Sequence, residues 1–290
     1  MKVRVKAPAK INLSLDVLRR RPDGYHDVSM VMQAVSLYDF ITVETTDSND
    51  IEIFCDYEGV PCDERNIAYK ACKEFFNYTK TEPTGVKITI DKNIPTQAGL
   101  AGGSADGAAV IVGLNKLFST HLKESEMCEI GGKIGADVPF CIVGGTKLAS
   151  GTGTKLNNMT SIPRCNILIC KPELSISTAE AYARIDSMNL THPEYTAEMV
   201  KAIYARDIWM MTSTLYNDFE FALDLDEIKS IKKIMLKNKA LGSAMSGSGS
   251  AVFGIFNSSR KAEKCLKVLK ETYDKVFICD PVKTGCEVID

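Results

Sequence analysis

Residues 95–109 read Pro95-Thr96-Gln97-Ala98-Gly99-Leu100-Ala101-Gly102-Gly103-Ser104-Ala105-Asp106-Gly107-Ala108-Ala109. A glycine-rich turn is set directly onto the start of an alanine-rich helix, just after the strand-like alternation of Val86, Ile88 and Ile90. Glycine lets the backbone bend and approach a ligand closely, and the unpaired N–H groups and dipole of a new helix attract an anion, a phosphate first of all. No lysine precedes Ser104, so the pattern G-x-x-x-x-G-K-[ST] fails, and neither G-x-G-x-x-G nor the protein-kinase signatures H-R-D and D-F-G occur. By itself the segment also fits a tight strand-to-helix connection whose glycines serve packing alone.

Working outward, strands are expected at 2–7, 40–45, 51–55 and 86–91. A helix over 64–78 places Ile67, Ala71, Phe75 and Tyr78 on one face, with Asp63 as its cap. The helix that begins in the glycine loop should run to about Phe118 and bury Ala108, Ile111, Val112 and Leu114 or their neighbours, and another starts near Lys123. Gly135-Ala136-Asp137-Val138-Pro139-Phe140 interrupts that helix, Gly144-Gly145 leads into a strand at 146–150, and Gly151–Thr154 is a hairpin turn. The polar stretch 157–164, with Pro163, is the best domain boundary, giving 1–160 and 161–290. Beyond it come a buried strand at 166–170, a helix opened by the capping-box spacing Ser177-Thr178-Ala179-Glu180, and helices near 195–206 and 226–238. The chain ends strand, loop, strand, helix, strand at about 240–245, 251–256, 259–272 and 275–279. Ser246-Gly247-Ser248-Gly249-Ser250 lies between the two apolar runs and reads as a hairpin tip, not a linker.

Composition sets the limits. At 290 residues, 45% hydrophobic and 25% charged, the chain is an ordinary globular protein with a full core. A net charge of −2 and the lack of a long basic run argue against nucleic acid as a partner. Arg19-Arg20-Arg21, ahead of Pro22-Asp23-Gly24, fits a solvated turn as well as a contact with a polyanionic ligand. Ten scattered cysteines without a C-x-x-C pair fit a reducing compartment. With no apolar run approaching a membrane span or a signal peptide, the expected location is the cytoplasm, with no membrane partner. Histidines occur only at 26, 121 and 192, which indicates no imidazole metal cluster.

Three segments belong together: Pro8-Ala9-Lys10-Ile11-Asn12-Leu13, the central glycine loop, and Met245 to Ser250. In that order they resemble the three signature motifs of the GHMP kinase superfamily, small-molecule kinases. Asp23-Gly24-Tyr25-His26, Leu37-Tyr38-Asp39 and Gly135-Ala136-Asp137-Val138-Pro139 narrow the likeness to the branch whose substrate is a cytidine diphosphate-linked methylerythritol. The resemblance implies a two-domain α+β fold. Its N-terminal half is ribosomal protein S5 domain 2-like, its C-terminal half is ferredoxin-like, and the active site lies in the cleft between them. It further implies transfer of the ATP γ-phosphate to the substrate's 2-hydroxyl, with Mg²⁺.

Residue by residue, the resemblance makes Asp137 the base that takes the hydroxyl proton. Lys10 becomes the cation that keeps Asp137 ionised and stabilises the transferring phosphoryl group. Read locally, Asp137 equally fits a cap on a helix whose first turn holds Pro139, and Lys10 a solvated strand-end charge. Pro95, Gly99, Leu100, Ala101, Gly102, Gly103, Ser104 and Ala105 would cradle ATP, with Ser104 the hydroxyl nearest Mg²⁺. The family often carries a second serine where Ala105 stands. Asn12, Tyr25, His26, Tyr182, Ser246 and Gly247 would bind the second substrate. In that set Tyr25 stacks on the cytosine, His26 hydrogen-bonds its edge and Tyr182 closes the other face, although Tyr182 also fits core packing on its helix. Asn66 and Lys92 stand at adenine-side positions. Asp106 must face away from the phosphates, or lie near the metal or the substrate hydroxyl. Alternatives are another GHMP kinase acting on homoserine, mevalonate or a sugar, and a non-catalytic sensor of ATP and a small ligand. The sequence does not give the oligomeric state.

Overall fold

A computed structural model describes residues 1–82, 84–188 and 194–290. His192, one of the three histidines weighed for metal binding, lies outside the described residues. The chain opens with two long strands, β1 (Lys2–Arg20) and β2 (His26–Thr46), then β3 (Ile51–Cys55), α1 (Ile67–Thr79) and β4 (Gly85–Asp91). Helices α2 (Gly102–Leu117), α3 (Glu124–Ile134) and α4 (Val138–Val143) precede β5 (Thr146–Gly151), β6 (Lys155–Asn158) and β7 (Asn166–Lys171). Next come α5 (Thr178–Asp186), α6 (Tyr195–Tyr204), α7 (Ile208–Ser213), β8 (Tyr216–Asn217), α8 (Asp218–Leu223) and α9 (Asp226–Lys237). The last elements are β9 (Gly242–Met245), β10 (Val252–Phe256), α10 (Ser259–Leu269), β11 (Lys275–Cys279) and β12 (Glu287–Val288).

Two sheets organise these elements. The larger runs β12-β1-β2-β4-β3, with β5 on β2, β6 on β5 and β8 on β1. It therefore takes in two short strands from beyond residue 160. The smaller has the order β11-β7-β10-β9 and is antiparallel throughout. With α10 joining β10 to β11 and helices joining β7 to β9, this is the βαββαβ order of a ferredoxin-like half. The mixed α+β architecture expected from the sequence is present.

Strands β1 and β2 are far longer than the expected 2–7 and 40–45. They pair antiparallel from Lys2↔Glu44 to Arg20↔His26, and the register shifts between Pro8 and Ala9, between Asn12 and Ser14, and between Val17 and Arg19. Bulges of this kind bend a strand and re-aim its side chains. Two of them bracket Lys10 to Asn12, where Ala9, Ile11 and Leu13 are buried on one face and Lys10 and Asn12 on the other. Arg19 and Arg21 pair with Asp27, and Arg21 also with Asp23, so two of the three clustered arginines stabilise the β1–β2 turn.

Helix α2 lies against the larger sheet, and its small residues let it approach closely. A Cβ added at Gly113 would stand 2.7 Å from a Val43 methyl, and one at Gly107 would stand 2.6 Å from Ile67. Ala108, Ile111 and Leu114 are fully buried, as the periodicity requires. Three short helices, α4, α7 and α8, were not legible as such, since each has only six residues. The Ser177 side chain caps no amide, so the expected capping box is absent.

On α1, Asn66 rather than Asp63 is the cap: its side chain accepts from the Ala68 amide at 2.8 Å and donates to the Pro61 carbonyl at 2.7 Å. Asp63 instead binds Arg65, whose guanidinium pulls the carboxyl down to about 2. Asn66→Ala is accordingly expected to cost about 1–2 kcal/mol in urea unfolding, whereas Asp63→Ala should leave the midpoint where it is. The reverse ranking would return the cap to Asp63.

Candidate active site

The three resembling segments meet through the backbone. The Lys10 amide donates to the Leu100 carbonyl at 3.1 Å, and the Ala251 amide to the Ala98 carbonyl at 3.1 Å. The Ser246 hydroxyl donates to the Gly99 carbonyl at 2.9 Å. Gly99 has φ +71°, and a Cβ there would stand 2.0 Å from the Ser246 carbonyl oxygen, so only glycine serves both the turn and the contact. Asn217, for which the sequence offered no signal, holds the second loop from behind by donating to the carbonyls of Met245 and Gly247, both at 2.8 Å.

These segments line a cleft of about 1230 Å³. Its walls include Pro95, Gly99 to Ser104, Lys10, Asn12, Asp137, Tyr25, Tyr182 and Gly247. Three expected site residues do not line it. Ala105 is buried in the core, Ser246 is buried with its hydroxyl committed to Gly99, and His26 stands next to Tyr182.

The first intrahelical amide bond of α2 is Ala105 N–H to the Ala101 carbonyl. The amides of Gly102, Gly103 and Ser104 come before it and are left for an anion. Ala101, at the cap position, has φ +59° and supplies no side-chain cap that would compete. The Ser104 hydroxyl makes no hydrogen bond to a described residue and faces the cleft.

Across from this helix end, Lys10 and Asn12 project from one face of β1, and the Lys10 ammonium donates to Asn12 Oδ1 at 2.7 Å. The Asp137 carboxylate stands 3.6 Å from Lys10 Nζ. Asp137 occupies the cap position of α4, with Pro139 in the first turn, yet its side chain makes no capping bond and turns to Lys10. Lys10 is only 4% exposed, which excludes the solvated strand-end reading. A lysine so buried needs a counter-charge.

Asp106 lines the cleft beneath the loop, with its carboxylate turned to Lys92. Lys92 Nζ donates to Asp106 Oδ2 at 2.8 Å and to Asp39, and Asp39 also accepts from the amides of Asn93 and Ile94. All three side chains are almost fully buried beneath the loop. Desolvation works against the Lys92 ammonium, but Asp106 and Asp39 outweigh it and hold the pKa above its ordinary value. Burial drives the Asp106 carboxyl up to about 7, against the pull of Lys92. Asp106 Oδ1 is buried without a partner among the described residues. A carboxyl whose folded pKa exceeds its unfolded value favours the fold at acid pH, and that contribution is lost as pH rises through about 7. Asp106→Asn should therefore flatten the fall in stability between about pH 4 and about pH 7; an undiminished fall in urea titrations would exclude Asp106 as its source.

Of the aromatic residues lining the cleft, Tyr25 is 67% exposed, and Tyr182 packs edge-on against Phe219 at 4.8 Å. Burial pushes the Tyr182 hydroxyl up to about 12. The His26 ring stacks on Tyr182, centroids 4.4 Å apart and 15° from parallel, and its Nε2 lies 2.7 Å from Asp186 Oδ1. Tyr182 thus serves both the cleft and its helix. Asn66 and Lys92 also line the cleft, each with its polar atoms already engaged.

No group of three or more His, Cys, Asp or Glu that could hold a metal ion occurs among the described residues. No described helix is long and apolar enough to cross a membrane.

The family model for the GHMP kinases N terminal domain matches residues 66–145, and that for the GHMP kinases C terminal matches 216–275. The 4-diphosphocytidyl-2-C-methyl-D-erythritol kinase of Clostridioides difficile (strain 630) is 44% identical over 291 residues, covering 99% of this chain and 97% of that protein. A crystal structure of 4-(cytidine 5'-diphospho)-2C-methyl-D-erythritol kinase superposes with a TM-score of 0.80 at 28% identity, covering 97% of this chain and 98% of the other. A homoserine kinase from Cytophaga hutchinsonii matches with a TM-score of 0.79 at 20% identity over 99% of this chain and 97% of that one, a likeness of fold alone.

Proposed function

The chain belongs to the GHMP kinases, and from that membership we propose that it transfers the γ-phosphate of ATP to the 2-hydroxyl of 4-diphosphocytidyl-2-C-methyl-D-erythritol, giving the 2-phosphate and ADP in the non-mevalonate isoprenoid pathway. The observation that carries the chemistry is the placing of Lys10 and Asp137 on a cleft that also contains the open amide end of α2. The substrate rests on the near full-length identity to relatives of that name and on Tyr25 and His26.

A carbon-2 that bears both a methyl and a hydroxyl makes the acceptor a hindered tertiary alcohol, a poor nucleophile. Asp137 would take its proton as the new oxygen–phosphorus bond forms and the bond to the β-phosphate oxygen breaks. Lys10, held by Asn12, stands beside Asp137 and offsets charge on the transferring group. The amides of Gly102 to Ser104 receive the phosphates of ATP. Mg²⁺ takes few protein ligands and keeps most of its waters, so the Ser104 hydroxyl beside the open amides of α2 would serve as its protein contact. When bound it would screen the triphosphate charge.

The 1–160 half carries the phosphate loop and both catalytic residues, and the 161–290 half brings the Ser246–Gly249 hairpin and Tyr182 against them. The second substrate binds along Asn12, Tyr25, Tyr182 and Gly247, with His26 reached beside Tyr182, on which its ring stacks, and Ser246 acting through its clamp on Gly99. The protein works in the cytoplasm, in keeping with ten unpaired cysteines.

A coupled assay for ADP release tests the reading. ATP with the cytidine-linked methylerythritol should turn over, while homoserine and mevalonate should not. Comparable rates on either small alcohol would make the chain a different GHMP kinase, and no turnover on any acceptor would favour a non-catalytic sensor.

A further inference from the structure

We propose that Asp186 is a positioning residue that fixes the tautomer of His26 and so makes the site select cytosine over uracil; this deepens the function proposed above and rests on it. Asp186 is the last residue of α5, one turn beyond Tyr182, and the helix carries both side chains to the same ring. Its carboxylate meets His26 Nε2 at 2.7 Å, and its other oxygen lies 3.7 Å from the Arg20 guanidinium. Arg20 is the one arginine of its cluster that does not bind the turn's own aspartates.

An ionised carboxylate only accepts hydrogen bonds, so His26 must carry its proton on Nε2. In the neutral ring Nδ1 is then left with a lone pair. No described residue bonds to Nδ1. The stack on Tyr182 fixes the plane of the imidazole. A pyrimidine lying in that plane and meeting Nδ1 edge-on faces an acceptor. Cytosine offers its exocyclic amino group there, whereas uracil offers a carbonyl oxygen that would set two lone pairs against each other. A buried acceptor left facing an acceptor is strongly rejected. With a neutral partner in place of the carboxylate, His26 could carry its proton on either nitrogen, and discrimination would fall.

The experiment compares cytidine- and uridine-diphosphate-linked methylerythritol as acceptors for the wild type, Asp186→Asn and Asp186→Glu. Nitrogen-15 spectra of the imidazoles accompany the kinetics. The wild type should show His26 protonated on Nε2 and prefer the cytidine substrate. Asp186→Asn should lower the ratio of kcat/KM values at least about tenfold through the KM for the cytidine substrate, with kcat and the KM for ATP retained. Asp186→Glu should restore part of the ratio. Asp186 is exposed at a helix end, so the variants are expected to fold. If the wild type turns over the cytidine substrate and Asp186→Asn keeps the wild-type ratio, or lowers both substrates equally, the tautomer role is overturned and the function stands. A wild type inactive on the cytidine substrate would overturn the function itself.

Discussion

Asp137→Asn is expected to lower kcat by about a thousandfold, within the range that a positioned general base contributes, while the affinity for ATP is retained. The asparagine keeps the size of the side chain and its place opposite Lys10, but cannot take the hydroxyl proton of the acceptor. Asp137 makes no capping bond to α4, so the substitution removes no helix stabilisation. The loss belongs in kcat rather than in the KM for either substrate, because the proton moves only as the transition state forms. Steady-state kinetics alongside equilibrium binding of ATP separate the two. A kcat within a few-fold of wild type would remove Asp137 from proton transfer.

The second large effect is structural. Lys92→Met should destabilise the protein by about 3–5 kcal/mol, the usual cost of breaking a buried ion pair from one side, out of a total stability of about 5–15 kcal/mol. Its two carboxylates are not equally exposed to the loss. Asp39 retains the amides of Asn93 and Ile94, while among the described residues Asp106 loses the one partner of Oδ2 and already has none for Oδ1. Most of the cost should therefore be recovered in the double variant Lys92→Met/Asp106→Leu. It should also shrink at acid pH, where Asp106, with its raised pKa, takes up a proton. Urea unfolding of the wild type, the single variant and the double variant measures this. A single variant as stable as wild type would show that the buried lysine is not what holds the carboxylates beneath the loop. The lysine also fills the space beside the first residue of α2: a Cβ at Gly102 would stand 2.9 Å from Lys92 Nζ.

Local patterns carried much of the architecture. The strand β4, the glycine loop and α2 could be read directly, since the alternation of Val86, Ile88 and Ile90 gives way to helical spacing at a run of glycines. The β9–β10 hairpin was legible because two apolar runs flank Ser246–Ser250. The length of β1 and β2 was not, for a physical reason: around Lys10 both faces of β1 are buried, and the bulges at Pro8/Ala9 and Asn12/Ser14 shift the register, so no sustained alternation survives.

In the site, Lys10, Asp137 and the loop were reached through the family resemblance, and the cleft contains all of them. Their supports were not reached. Asn217 acts on Met245 and Gly247, Asp39 on Lys92 and Asp186 on His26, across separations of 28, 30, 53 and 160 residues. Contacts of that range leave no spacing in the chain. Asp106 was recognised as a problem because a carboxylate near a phosphate needs a neutralising partner. Lys92, fourteen residues earlier, supplies it.

A phosphorus-31 spectrum of the completed reaction tests the central claim most directly, because it identifies the product rather than counting ADP. With ATP, Mg²⁺ and the cytidine-linked methylerythritol, one new phosphomonoester resonance should appear, attached at carbon 2, in step with ADP and with the cytidine diphosphate signals intact. ADP accompanied by inorganic phosphate alone, or a monoester on another hydroxyl, would contradict the account.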